Sequence, residues 1–145
     1  MTQPARYEDD VIAWADHQAR LLRERRFDQL DVEHLAEEIE DVGKSEQREL
    51  ANRMSLLLAH LLKWQTQPGR RGASWQITIR NQRRGIDRRL DETPSLKRKL
   101  DEPSWWSAVW DDATAQAALE TGLSDFPDAC PWSASDVLDQ DWLPG

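Results

Sequence analysis

The sequence predicts an all-α protein: a single-domain helical bundle of about five main helices, with an irregular C-terminal segment packed on it. Three observations carry this expectation. Apolar residues recur at i, i+3, i+4 and i+7 in one window after another, the period of a helix buried on one face. Proline, glycine and capping residues punctuate those windows at helix starts and stops. No stretch alternates apolar and polar residues as a half-buried strand does, and no internal repeat or low-complexity tract interrupts the chain.

The first helix is expected from about Asp9 to Arg26, where Val11, Trp14, Ala15, Gln18, Leu21 and Leu22 share an arc. "FDQLD" breaks that pattern, and Asp31 is placed to cap a second helix, with Leu30 and Leu35 as a hydrophobic staple. Leu35, Ile39 and Val42 form its expected buried stripe, and Gly43 is the expected C-cap. A third helix is expected from near Ser45 to just before Pro68-Gly69. Its stripe is Leu50, Met54, Leu57, Leu58, Leu61 and Trp64, and Leu56 and Leu62 widen it. So wide an apolar arc marks the central helix of a bundle.

"QPGRRGAS" reads as a loop, with Ser74 capping a fourth helix whose stripe is Trp75, Ile79, Gln82, Ile86 and Leu90. Thr93 followed by Pro94 opens a short helix through about Leu100. A further helix starts near Pro103, buries Trp106, Val109, Trp110 and Ala113, and stops at Gly122. The remainder carries three prolines and no long period. It is expected as loops and short turns pinned by Phe126, Trp132, Leu138 and Trp142.

Composition fits one folded domain over 1–145. Charged residues are 32% of the chain, above the usual fraction of about 25%. Eight tryptophans, at positions spread from 14 to 142, argue against disorder. Cys130 is the only cysteine, so no internal disulfide forms, which suits a reducing compartment. The opening "MTQPARYEDDVIAW" lacks the basic and apolar regions of a secretory signal. Apolar runs such as "LLLA" at Leu56 to Ala59 fall far short of the ~20 residues that span a bilayer. A soluble, cytoplasmic protein with no membrane partner is expected.

Charge comes in blocks. Residues 1–43 carry a net −7, residues 44–100 a net +9 and residues 101–145 a net −10. The whole chain is −8. "TIRNQRRGIDRRL", Thr78 to Leu90, holds five arginines. With Trp75 at 0° on a helical wheel, Arg80, Arg84 and Arg88 fall at about 140°, 180° and 220°, opposite the core stripe. Arg83 and Arg89 flank the stripe. Like charges at i, i+4 oppose a helix by about 0.2–0.5 kcal/mol per pair, so this face calls for an anion, internal or external. The reading favours a solvated face, or internal neutralisation by the acidic arms. The next readings are an acidic protein partner and nucleic acid held through Arg70, Arg71, Arg80, Arg84 and Arg88. The −17 of the flanking arms competes with nucleic acid, and no homeodomain, zinc-finger or RNA-recognition signature is present.

Three smaller constellations complete the inventory. His34, Glu38 and Asp41, at i, i+4 and i+7, could offer ligands to a metal, although an acidic helix face holding one histidine is the plainer reading. His60 borders the widest apolar stripe and needs a hydrogen-bond partner if buried. Glu38 or Asp41 could supply it, and such a pair is the skeleton of general acid–base chemistry. It is equally the ordinary way to satisfy a core histidine. Cys130 sits in acidic "DACPW" and is expected to be a passive thiol. Trp105, Trp106 and Trp110 cannot all face one side, so Trp105 or Trp106 is either a contact surface or covered by the C-terminal hook. No G-x-S-x-G, P-loop or Rossmann glycine pattern occurs, and no cofactor is expected.

"YEDDVIAWADHQARLLRERRFDQLDVEHLAEEIEDVGKSEQREL", "HLLKWQTQP", "SWQITIRNQRRGI" and "ETGLSDFPDACPWSASDVLDQDWLP" together resemble the bacterial domain-of-unknown-function family twenty-nine over almost the whole chain. The resemblance implies a compact all-helical bacterial protein and carries no reaction with it. The leading functional expectation is therefore a non-enzymatic protein-interaction module, in which the basic middle and acidic arms form a recognition surface or an internal clamp. The alternatives are a hydrolase-like or metal-dependent enzyme centred on His60 with a carboxylate, and a nucleic-acid-binding or regulatory protein using the arginine-rich helix.

Overall fold

Every regular element among the described residues, 4–145, is helical in this computed structural model. The α-helices are α1 (Val11–Arg23), α2 (Val32–Thr66), α3 (Ala73–Glu92), α4 (Pro103–Thr121) and α5 (Ala134–Leu138), with 3-10 segments at Phe27–Gln29, Pro68–Arg70 and Pro94–Asp101. The chain divides into two compact units, one ending at Ser45 and one comprising Glu46–Gly145.

In the first unit, Asp10 caps α1 by accepting from the Ala13 amide at 3.1 Å. Trp14, Gln18 and Leu21 are buried, whereas Val11, Ala15 and Leu22, on one side of the expected arc, are exposed. The helix stops at Arg23 rather than Arg26. Arg25 adopts a left-handed conformation (φ 61°). The Arg26 amide then reaches the Leu21 carbonyl and the Arg25 amide reaches that of Leu22, at 2.9 and 3.1 Å. These are the paired bonds of a Schellman stop, built here without glycine. Asp31 caps α2 as expected, its Oδ1 lying 3.5 Å from the His34 amide.

Gly43 does not end a helix. α2 continues through it for 35 residues in all. Ile39 and Val42, expected in a buried stripe, are 71% and 68% exposed. Helix propensity explains the continuation: one glycine costs a helix only about 1 kcal/mol, less than the caps and packing of a long helix return.

In the second unit, the Glu46–Thr66 portion of α2 is central. Leu50, Met54, Leu57, Leu58, Ala59 and Leu61 have no exposed surface and Leu62 has 1%. Each large side chain so buried contributes about 1.5–3 kcal/mol. Arg89 in α3 reaches Glu46 and Glu49, while Arg53 reaches Gln82 one to two turns earlier in α3. This part of α2 and α3 therefore run antiparallel. Gly85 permits the approach, since a Cβ there would lie 2.8 Å from Arg53 Nη1.

Gly72, not Ser74, occupies the N-cap position of α3, and Ser74 lies inside the helix. Thr93 stands at the start of the Pro94–Asp101 segment, which winds as a 3-10 helix, and makes no side-chain cap bond. α4 is tied to α2 by Ser55 Oγ donating to the Val109 carbonyl at 3.2 Å and by Lys63 Nζ on Glu120 at 2.6 Å. It ends at Gly122, which is left-handed (φ 75°) and bonds to the Ala118 carbonyl.

The C-terminal segment packs as expected. Phe126, Trp132, Leu138 and Trp142 lie against the core. Trp110, Trp132 and Trp142 stack edge to face in sequence, with centroids 5.6 and 5.7 Å apart. Trp105 and Trp106 are both half-buried against the core, and Trp106 Nε1 donates to the Leu100 carbonyl at 2.7 Å. No described helix is long and apolar enough to cross a membrane.

The two glycines give opposite expectations in urea denaturation. Gly43→Ala stabilises by about 0.5–1 kcal/mol, because an added Cβ meets nothing within 4 Å in a helical backbone. Gly122→Ala destabilises by about 1–2 kcal/mol, because its backbone is left-handed. A loss of stability in Gly43→Ala contradicts an unbroken α2.

Candidate functional site: an arginine ridge and cleft on α3

The five arginines of Thr78–Leu90 separate into two classes. Arg83 is 1% exposed. Its Nε donates to the Val137 carbonyl at 2.8 Å and its Nη2 to the Trp142 carbonyl at 2.7 Å. Burial pushes its pKa down, and Asp139 acts in the opposite direction. Arg89 lies between Glu46 and Glu49 at 3.1 and 3.3 Å. Both side chains hold the fold together.

Arg80, Arg84 and Arg88 are exposed on the opposite face. Among the described residues, none of the three has a carboxylate oxygen within 4.0 Å. Among the described residues of the second unit, no carboxylate of the C-terminal acidic arm comes within ion-pair distance of this ridge, which is a solvated face. The physical reason is positional: the carboxylates that meet basic groups of the central block include Glu46 and Glu49, which belong to that block, and Glu120, which takes Lys63. Asp87, which could have offset the ridge, has its pKa raised by desolvation and then by Asp91, the direction opposite to that produced by a guanidinium partner.

Beside the ridge lies a cleft of about 440 Å³ between α3 and the C-terminal segment. Gln76, Ile77, Arg80 and Arg84 form one wall, and Gln140, Asp141 and Leu143 are on the other, the Asp141 carboxylate lying beyond ion-pair distance of the arginines. Ile77 and Leu143 are 47% and 38% exposed, so apolar surface adjoins two free guanidinium groups. Arg83 builds the second wall by fastening the segment that carries it. Arg70 is exposed, whereas Arg71 donates from Nε to the Trp64 carbonyl at 2.6 Å and lies 5.1 Å from the Trp64 ring. Arg71 therefore closes the α2–α3 turn rather than joining the ridge.

A second polar cluster lies in the first unit. Tyr7 stacks on His34 with centroids 4.2 Å apart, and its hydroxyl donates to Glu38 Oε1 at 2.6 Å. His34 Nδ1 meets Asp31 Oδ2 at 2.7 Å, and Nε2 lies 3.2 Å from Glu8. Trp14 Nε1 donates to the same Asp31 oxygen at 2.9 Å. The bond to Glu38 pushes the Tyr7 pKa up to about 12. The bond to Asp31 raises the His34 pKa above its ordinary value, and His34 in turn lowers that of Asp31.

Two expected constellations do not assemble. His34, Glu38 and Asp41 do not converge, because His34 turns to Asp31 and Glu8 while Glu38 takes Tyr7. Among the described residues no three His, Cys, Asp or Glu are arranged to hold a metal ion. His60 pairs with neither Glu38 nor Asp41. Its Nδ1 lies 3.0 Å from the Leu56 carbonyl, one turn back in its own helix, and burial lowers its pKa. Cys130 fits the expected passive thiol: burial raises its pKa, and its Sγ lies 3.5 Å from the Trp132 carbonyl.

The cleft and the Tyr7–His34 stack were missed from the sequence. Arg83 flanking an apolar stripe, and Asp31 three residues before His34, were the available signals. A family model described as "Domain of unknown function DUF29" matches residues 6–143. The chain belongs to that family. No curated protein and no solved structure matches it.

The Asp31–His34 contact makes stability depend on pH. His34 contributes fully below its unfolded pKa of 6.5, and that contribution is lost as pH rises through its higher folded pKa. Asp31 contributes above 3.8 and loses its share as pH falls through its lower folded value. The stability gap between the wild type and His34→Gln, read by urea unfolding, is therefore expected to be widest between pH 3.8 and 6.5 and to narrow above. An NMR titration should place His34 above 6.5 and His60 below it. A His34 midpoint at or below that value contradicts the pairing.

Proposed function

We propose that this protein is a non-enzymatic interaction module that receives an acidic segment of a protein partner on the Arg80–Arg84–Arg88 ridge, working in the cytoplasm. One observation carries the reading. In a chain with 27 acidic and 19 basic residues, three exposed guanidinium groups at i, i+4 and i+8 have no carboxylate within 4.0 Å among the described residues. Neighbouring like charges disfavour such a ridge, and an incoming anion relieves the repulsion. Guanidinium groups suit carboxylates because their planar forks bond both oxygens.

A protein segment fits better than nucleic acid. The adjoining cleft mixes apolar Ile77 and Leu143 with amide side chains, which suits the alternating chemistry of a peptide. A nucleic-acid backbone would meet the field of a molecule with net charge −8. The lone half-buried cysteine suits a reducing cytoplasm. The enzyme reading centred on His60 is less favoured, because among the described residues the hydrogen-bond partner of that imidazole is the Leu56 carbonyl and not a carboxylate.

Titration with a synthetic peptide alternating Glu with apolar residues tests the proposal. Saturable binding at low salt is expected. It should weaken tenfold or more in a chain carrying Arg80→Gln, Arg84→Gln and Arg88→Gln together, with thermal stability nearly unchanged because these side chains are exposed. Peptide affinity untouched by the three substitutions overturns the reading. Tighter binding of duplex DNA than of peptide, lost in the same variant, transfers the ridge to nucleic acid.

A further inference from the structure

The solvent face of α2 in the first unit mirrors the ridge on α3. Glu33, Glu37 and Asp41 stand at i, i+4 and i+8, followed by Lys44 at i+11. Arg80, Arg84 and Arg88 stand at i, i+4 and i+8, followed by Asp91 at i+11. A single offset of 47 residues places each member of one set against an opposite charge in the other, including the sign reversal at the last position. All eight side chains are exposed, and among the described residues none has an ion-pair partner within 4.0 Å. Other charged groups on the same two helices, such as Glu46, Glu49, Arg53 and Arg89, are already paired.

We infer that the acidic segment received by the arginine ridge is α2 of a second copy of this chain, so that the protein self-associates. This rests on the reading of the ridge as an acceptor of acidic protein segments, and it names the partner. Residues spaced four apart form a continuous ridge on a helix surface, rising about 6 Å per step. Two helices laid side by side in parallel at the 47-residue offset thus bring Glu33 to Arg80, Glu37 to Arg84, Asp41 to Arg88 and Lys44 to Asp91. Antiparallel alignment of the same ridges sets Lys44 against Ile77 and loses the fourth pair, so the parallel register is selected. Glu40 and Asp87 fall opposite each other at that offset; both stand at the rim of their faces, where water screens them. Because every copy carries both ridges, the acidic ridge of one copy can meet the arginine ridge of another. Exposed ion pairs are individually weak, so the dimer is salt-sensitive and concentration-dependent.

Sedimentation equilibrium of the intact chain at low ionic strength tests this. A dimer is expected, dissociating as salt is raised. Reversal of Arg80, Arg84 and Arg88 to Glu in one chain weakens self-association at least tenfold, as does reversal of Glu33, Glu37 and Asp41 to Arg in another. The decisive sample is the mixture of those two variants. Each alone has like charges on both ridges, whereas together both contacts have opposite charges, so a heterodimer forms. A monomeric mass for the wild type across the concentration range overturns the inference, as does failure of the two reversed chains to pair when the wild type dimerises. Binding of the acidic peptide by a strictly monomeric wild type leaves the ridge as an acceptor and removes only the second copy as its partner.

Discussion

The buried Arg83 guanidinium is the constraint on which the architecture of the second unit turns. A charged group with 1% exposure loses the hydration it has in water, a large penalty unless its donors are met. Two main-chain carbonyls meet two of its five, those of Val137 in α5 and Trp142 near the C-terminus. Charge-assisted bonds of this kind contribute about 1.5–3 kcal/mol each. They also dictate where an otherwise irregular segment lies. With Val137 fastened, its side chain is fully buried, and the Trp110–Trp132–Trp142 series closes over the core. The cleft beside the arginine ridge follows, since one of its walls is the fastened segment.

The same helix therefore does two kinds of electrostatic work. Arg83 and Arg89 lie near the core stripe, and carbonyls and carboxylates within the second unit satisfy them. Arg80, Arg84 and Arg88 lie opposite, where among the described residues no carboxylate comes within ion-pair distance. Helical geometry alone makes this partition, because the two sets differ in angle rather than in residue type. In the first unit the corresponding work falls to His34, set between Asp31 and Glu8 and stacked on Tyr7.

Much of this was legible in the sequence where a local rule had no competitor. The leucine stripe of α2 is buried as its period indicates, Asp31 caps, Gly122 terminates, and the tryptophans pin the C-terminal segment. Misreadings arose where two local rules competed. Gly43 resembles a stop, yet a long helix absorbs one glycine at small cost. Arg25 carries no stop signal, yet two backbone bonds hold it left-handed. The cleft and the Arg83 carbonyl bonds join residues more than 50 positions apart. No periodicity within one helix encodes such a partner, although an arginine beside an apolar stripe marks where one is needed. His60, read first as a core histidine, meets the Leu56 carbonyl one turn back in its own helix.

The most direct measurement of this division is the hydrogen exchange of individual arginine Nε–H groups by NMR on the wild-type protein. Arg83 should exchange slowly, its Nε–H sealed against the Val137 carbonyl, while those of Arg80, Arg84 and Arg88 exchange at the rate of free arginine in the dissociated protein at high salt. Slow exchange at the ridge, or fast exchange at Arg83, contradicts the account.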